Sequence, residues 1–172
     1  GIGEFGEVAP LDEIEARVSG DWLVRLLEAE RYRSVHQPIV GLGDAGHPVI
    51  GHEYLLRGLD ESGAELSPAV LFGAARDPQI LFSLDRAARI SAVETAARLP
   101  GDGMVFINFM PGSVYDPEVC LRTTVAAAEA AGLAPERVVF EVVESQAVDD
   151  HDHLRGIVDF YRDAGFRVAL DD

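Results

Sequence analysis

Four of the most apolar stretches in this 172-residue chain each carry a side chain that belongs in water. Glu53 lies within Val49-Ile50-Gly51-His52-Glu53-Tyr54-Leu55-Leu56-Arg57, and Asn108 within Val105-Phe106-Ile107-Asn108-Phe109. Glu141 interrupts Val138-Val139-Phe140-Glu141-Val142-Val143, and Asp171 with Asp172 closes Val168-Ala169-Leu170-Asp171-Asp172. Burying a carboxylate or an amide without a partner costs several kcal/mol, so the repetition points to a bound group. Every candidate donor is an oxygen, which suits Mg²⁺, Mn²⁺ or Ca²⁺ rather than Zn²⁺. The adjacent carboxylates of Asp171 and Asp172 repel unless cations sit between them. One of them could bridge two metals about 3.5–4 Å apart, the separation used in phosphodiester hydrolysis. Arg57 follows Glu53 on the same stretch and could clamp a phosphate bidentately.

The plain alternative is that each acid pairs with an arginine in an ordinary salt bridge. It fits any one of them better than the whole set. His36, His47 and His52 read as turn or strand-face residues. His151 and His153, among Asp149, Asp150 and Asp152, read as a solvated helix start. Cys120 reads as an inert residue inside a helix face, and Trp22 as packing.

Something must bring these residues together. The length suffices for one domain with a real core, and a 48% hydrophobic composition makes it globular. No apolar run approaches the roughly 20 residues that span a bilayer, and no signal peptide opens the chain. Gly1-Ile2-Gly3-Glu4-Phe5 is set aside as a tag-like remnant. The single cysteine excludes an intrachain disulfide and a cysteine metal site, which fits a cytoplasmic protein. The net charge of −16 disfavours DNA and RNA as partners, and any phosphate ligand needs metal ions or a local arginine.

Residues 11–31 show helical spacing of Leu11, Ile14, Val18, Leu23, Leu26 and Leu27, with a break expected at Ser19-Gly20-Asp21. Strands are expected over Val35–Leu42 and Pro48–Leu56, joined by a turn at Asp44-Ala45-Gly46-His47. Helices follow over Pro68–Ala75 and Leu84–Leu99, then a strand over Met104–Phe109. Asp116 and Pro117 open the next helix and Gly132 follows its end. A strand over Val138–Val143, a helix over His153–Ala164 and a strand over Arg167–Leu170 complete the chain. From Pro48 onward the order is β-α-β-α-β-α-β. The continuous apolar runs of the later strands suit a parallel sheet covered on both faces. The intervals from Asn108 to Glu141 and from Glu141 to Asp171 each match one βα unit. The polar residues are therefore expected at or near the C-terminal ends of successive strands. In a (β/α) barrel those ends form the active-site face, and in an open doubly wound sheet they gather at one edge.

Taken in order, these segments resemble the EAL family of cyclic di-GMP phosphodiesterases. Val35-His36-Gln37-Pro38-Ile39-Val40 is similar to its first strand. Gly51-His52-Glu53-Tyr54-Leu55-Leu56-Arg57 is similar to the segment that names the family, with Tyr54 in place of the usual Ala, a departure that counts against activity. Ile107-Asn108-Phe109 resembles the asparagine strand. Phe140-Glu141-Val142-Val143-Glu144-Ser145 resembles the E-x-T-E segment, with Val143 for Thr, and the stretch ending in Asp171-Asp172 resembles the double-aspartate segment. The resemblance covers roughly Tyr32 to Asp172, leaving 1–31 as an N-terminal tail and helix.

The resemblance implies a TIM-like (β/α) barrel of α/β class. It also implies Mg²⁺ or Mn²⁺ in a two-metal site held by Glu53, Asn108, Glu141, Asp171 and Asp172. Glu53, Asp171 and Asp172 would serve catalysis. Gln37 and Arg57 would contact cyclic di-GMP, and Glu144 would steady the loop after the double aspartate. A metal-activated water would attack one phosphodiester and leave linear pGpG. The family barrel takes about 240 residues and eight strands, so the chain is expected to be a C-terminally truncated barrel ending after the fifth strand. It would lack a lysine near the catalytic water, a later glutamate ligand and a downstream glutamine. Three functions compete: a fragment of an active phosphodiesterase, itself weakly active or inactive; a receptor that binds cyclic di-GMP without cleaving it; and a structural piece that self-associates through its exposed edge.

Overall fold

The hairpin and the later apolar runs build one sheet. The computed structural model describes residues 20–43, 46–143 and 151–171. Strands β1 (Tyr32–Val40) and β2 (Val49–Leu59) pair antiparallel, with Gln37 opposite Glu53 and Arg33 opposite Arg57. The short β3 (Glu65–Leu66) pairs with the end of β2. Strands β4 (Met104–Phe109), β5 (Val138–Val143) and β6 (Arg167–Asp171) then add in parallel, giving the order β1-β2-β4-β5-β6. The α/β class and the mostly parallel sheet agree with expectation. β3 was not foreseen, because two residues cannot display an alternation.

The helices are α1 (Asp21–Glu28), α2 (Pro68–Ala74), α3 (Pro78–Arg98), α4 (Pro117–Cys120), α5 (Arg122–Ala130) and α6 (His151–Asp163). α3 starts before the expected Leu84 because Asp77 caps it: its Oδ1 accepts from the backbone N–H of Gln79 at 2.8 Å and of Ile80 at 3.2 Å. Pro78 then occupies the first helical position, where its missing N–H costs nothing. The start at Asp116-Pro117 is as expected, but the helix breaks at Leu121 into two pieces. Of the expected 11–31 helix, the part before Gly20 lies outside the described residues. The described helix starts at Asp21, directly after Gly20, whose φ of +74° suits glycine.

The two faces of the sheet differ. Alternate residues Tyr54, Leu56, Ile107, Phe109, Phe140 and Val142 are buried under the helices. Ala92, Val93 and Ala96 of α3, Ala128 of α5, and Ile157 and Tyr161 of α6 pack on them. The Phe140 ring stacks on Tyr161 with centroids 3.8 Å apart, and Phe109 meets both rings edge-on. Each such buried side chain contributes about 1.5–3 kcal/mol. Leu23 and Leu26 of α1 form a second cluster with Leu56, Leu71 and Leu84. Gly51 permits the tight β2–β4 approach, since a Cβ there would lie 2.5 Å from the Met104 carbonyl oxygen.

The opposite face carries Glu53, Leu55 and Arg57 on β2, Phe106 and Asn108 on β4, and Glu141 on β5, all half-buried. Among the described residues β6 pairs only with β5, so the sheet is an open arc. Leu170 is 77% exposed there, above a groove that α6 lines with Leu154 and Val158. No described helix is long and apolar enough to cross a membrane.

Candidate metal centre

Period-two alternation decides what shares the open face. Asn108 pairs in register with Glu141, and Gln37 with Glu53. Glu53 lies beside Phe106, one pleat short of Asn108. Glu53 is therefore well inside β2 rather than near its C-terminal end, a correction to the expectation. The strand runs on to Leu59 because β1 and β3 pair its later residues. Asn108 is penultimate in β4, and the Asp171 backbone ends β6 opposite Val143. The Asp171 side chain, Asp172 and Glu144 lie outside the described residues.

Glu53 pairs with no arginine among the described residues. Its Oε1 accepts a hydrogen bond from Asn108 Nδ2 at 2.6 Å. Asn108 Oδ1 is buried and has no hydrogen-bond partner among the described residues. A carboxylate only accepts, so the amide must turn its NH₂ to Glu53 and its oxygen away. Among the described residues no three His, Cys, Asp or Glu side chains gather into a metal-holding cluster. What is present is an all-oxygen set of two carboxylates and an amide on one face, with one buried amide oxygen lacking a donor. That set fits a hard divalent cation.

Gln37 is exposed beside Glu53 on β1. Arg57 is half-buried, and its Nη1 donates to the Leu56 carbonyl at 2.8 Å. It has no carboxylate partner among the described residues. Tyr54 projects from the opposite face, 5% exposed, with its ring 6.1 Å from that of His36. Burial raises its phenol above the ordinary range. Its bulk therefore adds to the core and does not enter the face of Glu53.

A buried polar network lies behind the site. Asp85 is 1% exposed and Arg89 fully buried. Asp85 Oδ2 accepts from Arg89 Nε and from Ser113 Oγ, each at 2.9 Å, and its Oδ1 accepts from the Met110 N–H at 2.9 Å. Arg89 Nη1 donates to Thr124 Oγ1. Burial is the largest single influence and opposes the Arg89 charge, but Asp85 and Tyr161 together outweigh it and raise the pKa. This ion pair fastens α3 to the turn that follows Asn108. Its only sequence signal was the helical i, i+4 spacing of an acid and an arginine. A cavity of about 340 Å³ opens beside the network, lined by Leu55, Phe72, Asp85, Asn108 and Met110 among others.

Comparisons with known proteins bear on the family and the fold. The EAL domain family matches residues 21–172. A standalone versatile EAL protein from Vibrio cholerae O395, in its c-di-GMP bound form, is 31% identical with a TM-score of 0.69. The match covers 82% of this chain and 56% of that one. The FimX EAL domain from Pseudomonas aeruginosa bound to c-di-GMP is 26% identical, TM-score 0.73, covering 88% of this chain and 60% of that one. Klebsiella pneumoniae BlrP1 in a manganese/cy-diGMP complex is 25% identical, TM-score 0.63, covering 94% and 44%. No curated protein matches the sequence.

The fold and the open face define an α/β domain of the TIM-like barrel class. The chain belongs to the EAL domain family and spans 44–60% of the length of these relatives.

Proposed function

We propose that this chain carries the metal-binding and part of the ligand-binding face of a cyclic di-GMP phosphodiesterase. The carrying observation is the buried, unpartnered Asn108 Oδ1 beside Glu53. Support comes from relatives bound to c-di-GMP, one of them with manganese and another structure of the same protein with calcium.

Glu53, Asn108 and Glu141 would hold Mg²⁺ or Mn²⁺, joined by Asp171 and Asp172. The bound cations supply water activation and charge neutralisation at a phosphodiester. Asn108 keeps Glu53 fixed while offering its own oxygen. Arg57 offers a phosphate oxygen a guanidinium that has no carboxylate partner among the described residues, and Gln37 a neutral polar group at the ligand's flank. The cavity beside Leu55, Phe72 and Asn108 gives the ligand's base an apolar wall. Asp85 and Arg89 hold the turn after Asn108 and keep that ligand in place. The product of such a site is linear pGpG. The lone, buried thiol of Cys120 suits a cytoplasmic setting.

The second reading is a receptor that binds cyclic di-GMP without cleaving it. The cavity and Arg57 serve binding whether or not turnover follows. The exposed β6 edge and Leu170 add self-association as a further proposal.

Incubation with cyclic di-GMP and Mg²⁺ or Mn²⁺, followed by chromatography, tests the first reading. It expects pGpG that disappears in Glu53→Ala. Binding without product, unaffected by a chelator, supports the receptor instead.

A further inference from the structure

Arg33 and Arg57 stand directly opposite each other across β1 and β2. Opposed residues of an antiparallel pair project from one face, so Arg33 shares the face of Gln37, Glu53 and Asn108. Like charges directly opposite one another destabilise a sheet. Here the Arg33 guanidinium is drawn off to Glu65, which the Leu59–Glu65 pairing holds alongside. The Arg33 and Glu65 side chains are 58% and 45% exposed, so water screens the pair and it exchanges readily. Arg57 has no such partner among the described residues. A third arginine, Arg31, lies at the same corner, its Nη1 donating to the Leu59 carbonyl at 3.3 Å.

This concentration of guanidinium groups sits in a chain of net charge −16. An anion placed between Arg33 and Arg57 relieves their repulsion and pairs the unpaired charge. Planar guanidinium groups match phosphate oxygens in particular. We infer that Arg33 is a second phosphate-binding arginine of the site. Glu65 parks its guanidinium in the free protein, and the phosphodiester ligand takes it over. The two strands of the hairpin thus each supply one arginine to the ligand's anionic groups. The inference rests on the reading of this face as a cyclic di-GMP site.

Calorimetric titration of the full chain with cyclic di-GMP, at fixed metal concentration, tests it. Arg33→Ala should weaken binding roughly tenfold, the loss of one charge-assisted contact. Glu65→Gln should tighten it about two- to threefold by releasing Arg33. Arg98→Ala removes an equal charge from an exposed helical pair elsewhere and should change nothing. Thermal melts identify any variant that has lost its fold, and Arg33→Gln, which keeps the stem, then replaces Arg33→Ala. Binding by the parent chain that Arg33 variants leave unchanged, or weaken no more than Arg98→Ala, overturns this inference alone. No binding by the parent chain overturns the reading of the site and this inference with it.

Discussion

Asn108 Nδ2 donates to Glu53 Oε1 at 2.6 Å, while Asn108 Oδ1 stays buried without a partner among the described residues. One amide thus performs two tasks. It neutralises none of the Glu53 charge but fixes its orientation, and it leaves an oxygen for a cation. Asn108→Ala removes both, and should weaken Mn²⁺ binding about 10–100-fold, as loss of an orienting partner commonly does. Asn108→Asp sets carboxylate against carboxylate. Its metal-free form should melt below the parent, and added Mn²⁺ should raise its Tm more than the parent's. Differential scanning fluorimetry with and without Mn²⁺ reads both. An Asp variant that melts like the parent without metal contradicts the geometry.

The Asp85–Arg89 pair predicts strong non-additivity. Arg89→Met leaves a buried carboxylate uncompensated and should cost about 3–5 kcal/mol in urea unfolding. Adding Asp85→Asn should recover part of that loss, because the remaining amide still accepts from the Met110 N–H. Independent costs that simply add would show that the two residues do not act as a pair.

Gly51 reports on the β2–β4 register. In Gly51→Ala the new Cβ meets Met104 backbone and Cβ atoms at 2.5 and 2.8 Å, so the strands must part. The expected cost is about 1–3 kcal/mol, and metal binding should weaken too because Glu53 and Asn108 sit on these strands. Unchanged stability would contradict the pairing of Gly51 with Met104.

How much of this was legible in sequence depended on whether an interaction is local. Met104–Phe109 and Val138–Val143 were readable because apolar runs bounded by turns identify themselves. Asp116 and Pro117 announced a helix start through local chemistry. The α3 start at Asp77-Pro78 carries the same local signal, six residues before the expected Leu84. Lone polar residues within apolar runs singled out Glu53, Asn108 and Glu141, but not the register that sets Glu53 one pleat below Asn108. Asp85 and Arg89 escaped notice because charged residues in a helix read as a solvated face. Only the packing of α3 against the turn at Met110–Ser113 turns them inward. Arg33 stayed hidden because its meaning depends on Arg57 standing opposite.

Alkaline stability should fall through Tyr161. Burial raises its pKa far above the ordinary 10.0 of a phenol. The folded state therefore holds its proton where the unfolded chain releases it. The associated stability is fully present below about pH 10 and is lost as pH rises past that value. Because the Tyr161 hydroxyl makes no hydrogen bond of good geometry, Tyr161→Phe should change neutral stability little and flatten the alkaline slope. A slope unchanged in the variant assigns the effect to another group.

The open edge makes a prediction about association. Leu170 presents 77% of its surface beside the side of β6 that pairs with no strand among the described residues. Sedimentation velocity should show concentration-dependent self-association that Leu170→Glu reduces. A monomer at every accessible concentration removes the proposal that this edge pairs with another chain.

The most direct test of the central claim is a calorimetric titration of the chain with Mn²⁺, alongside Glu53→Ala and Asn108→Ala. The account predicts saturable binding by the parent chain that either substitution weakens by about tenfold or more. Equal binding by all three proteins would contradict a cation site built on Glu53 and Asn108, and would place any bound metal elsewhere.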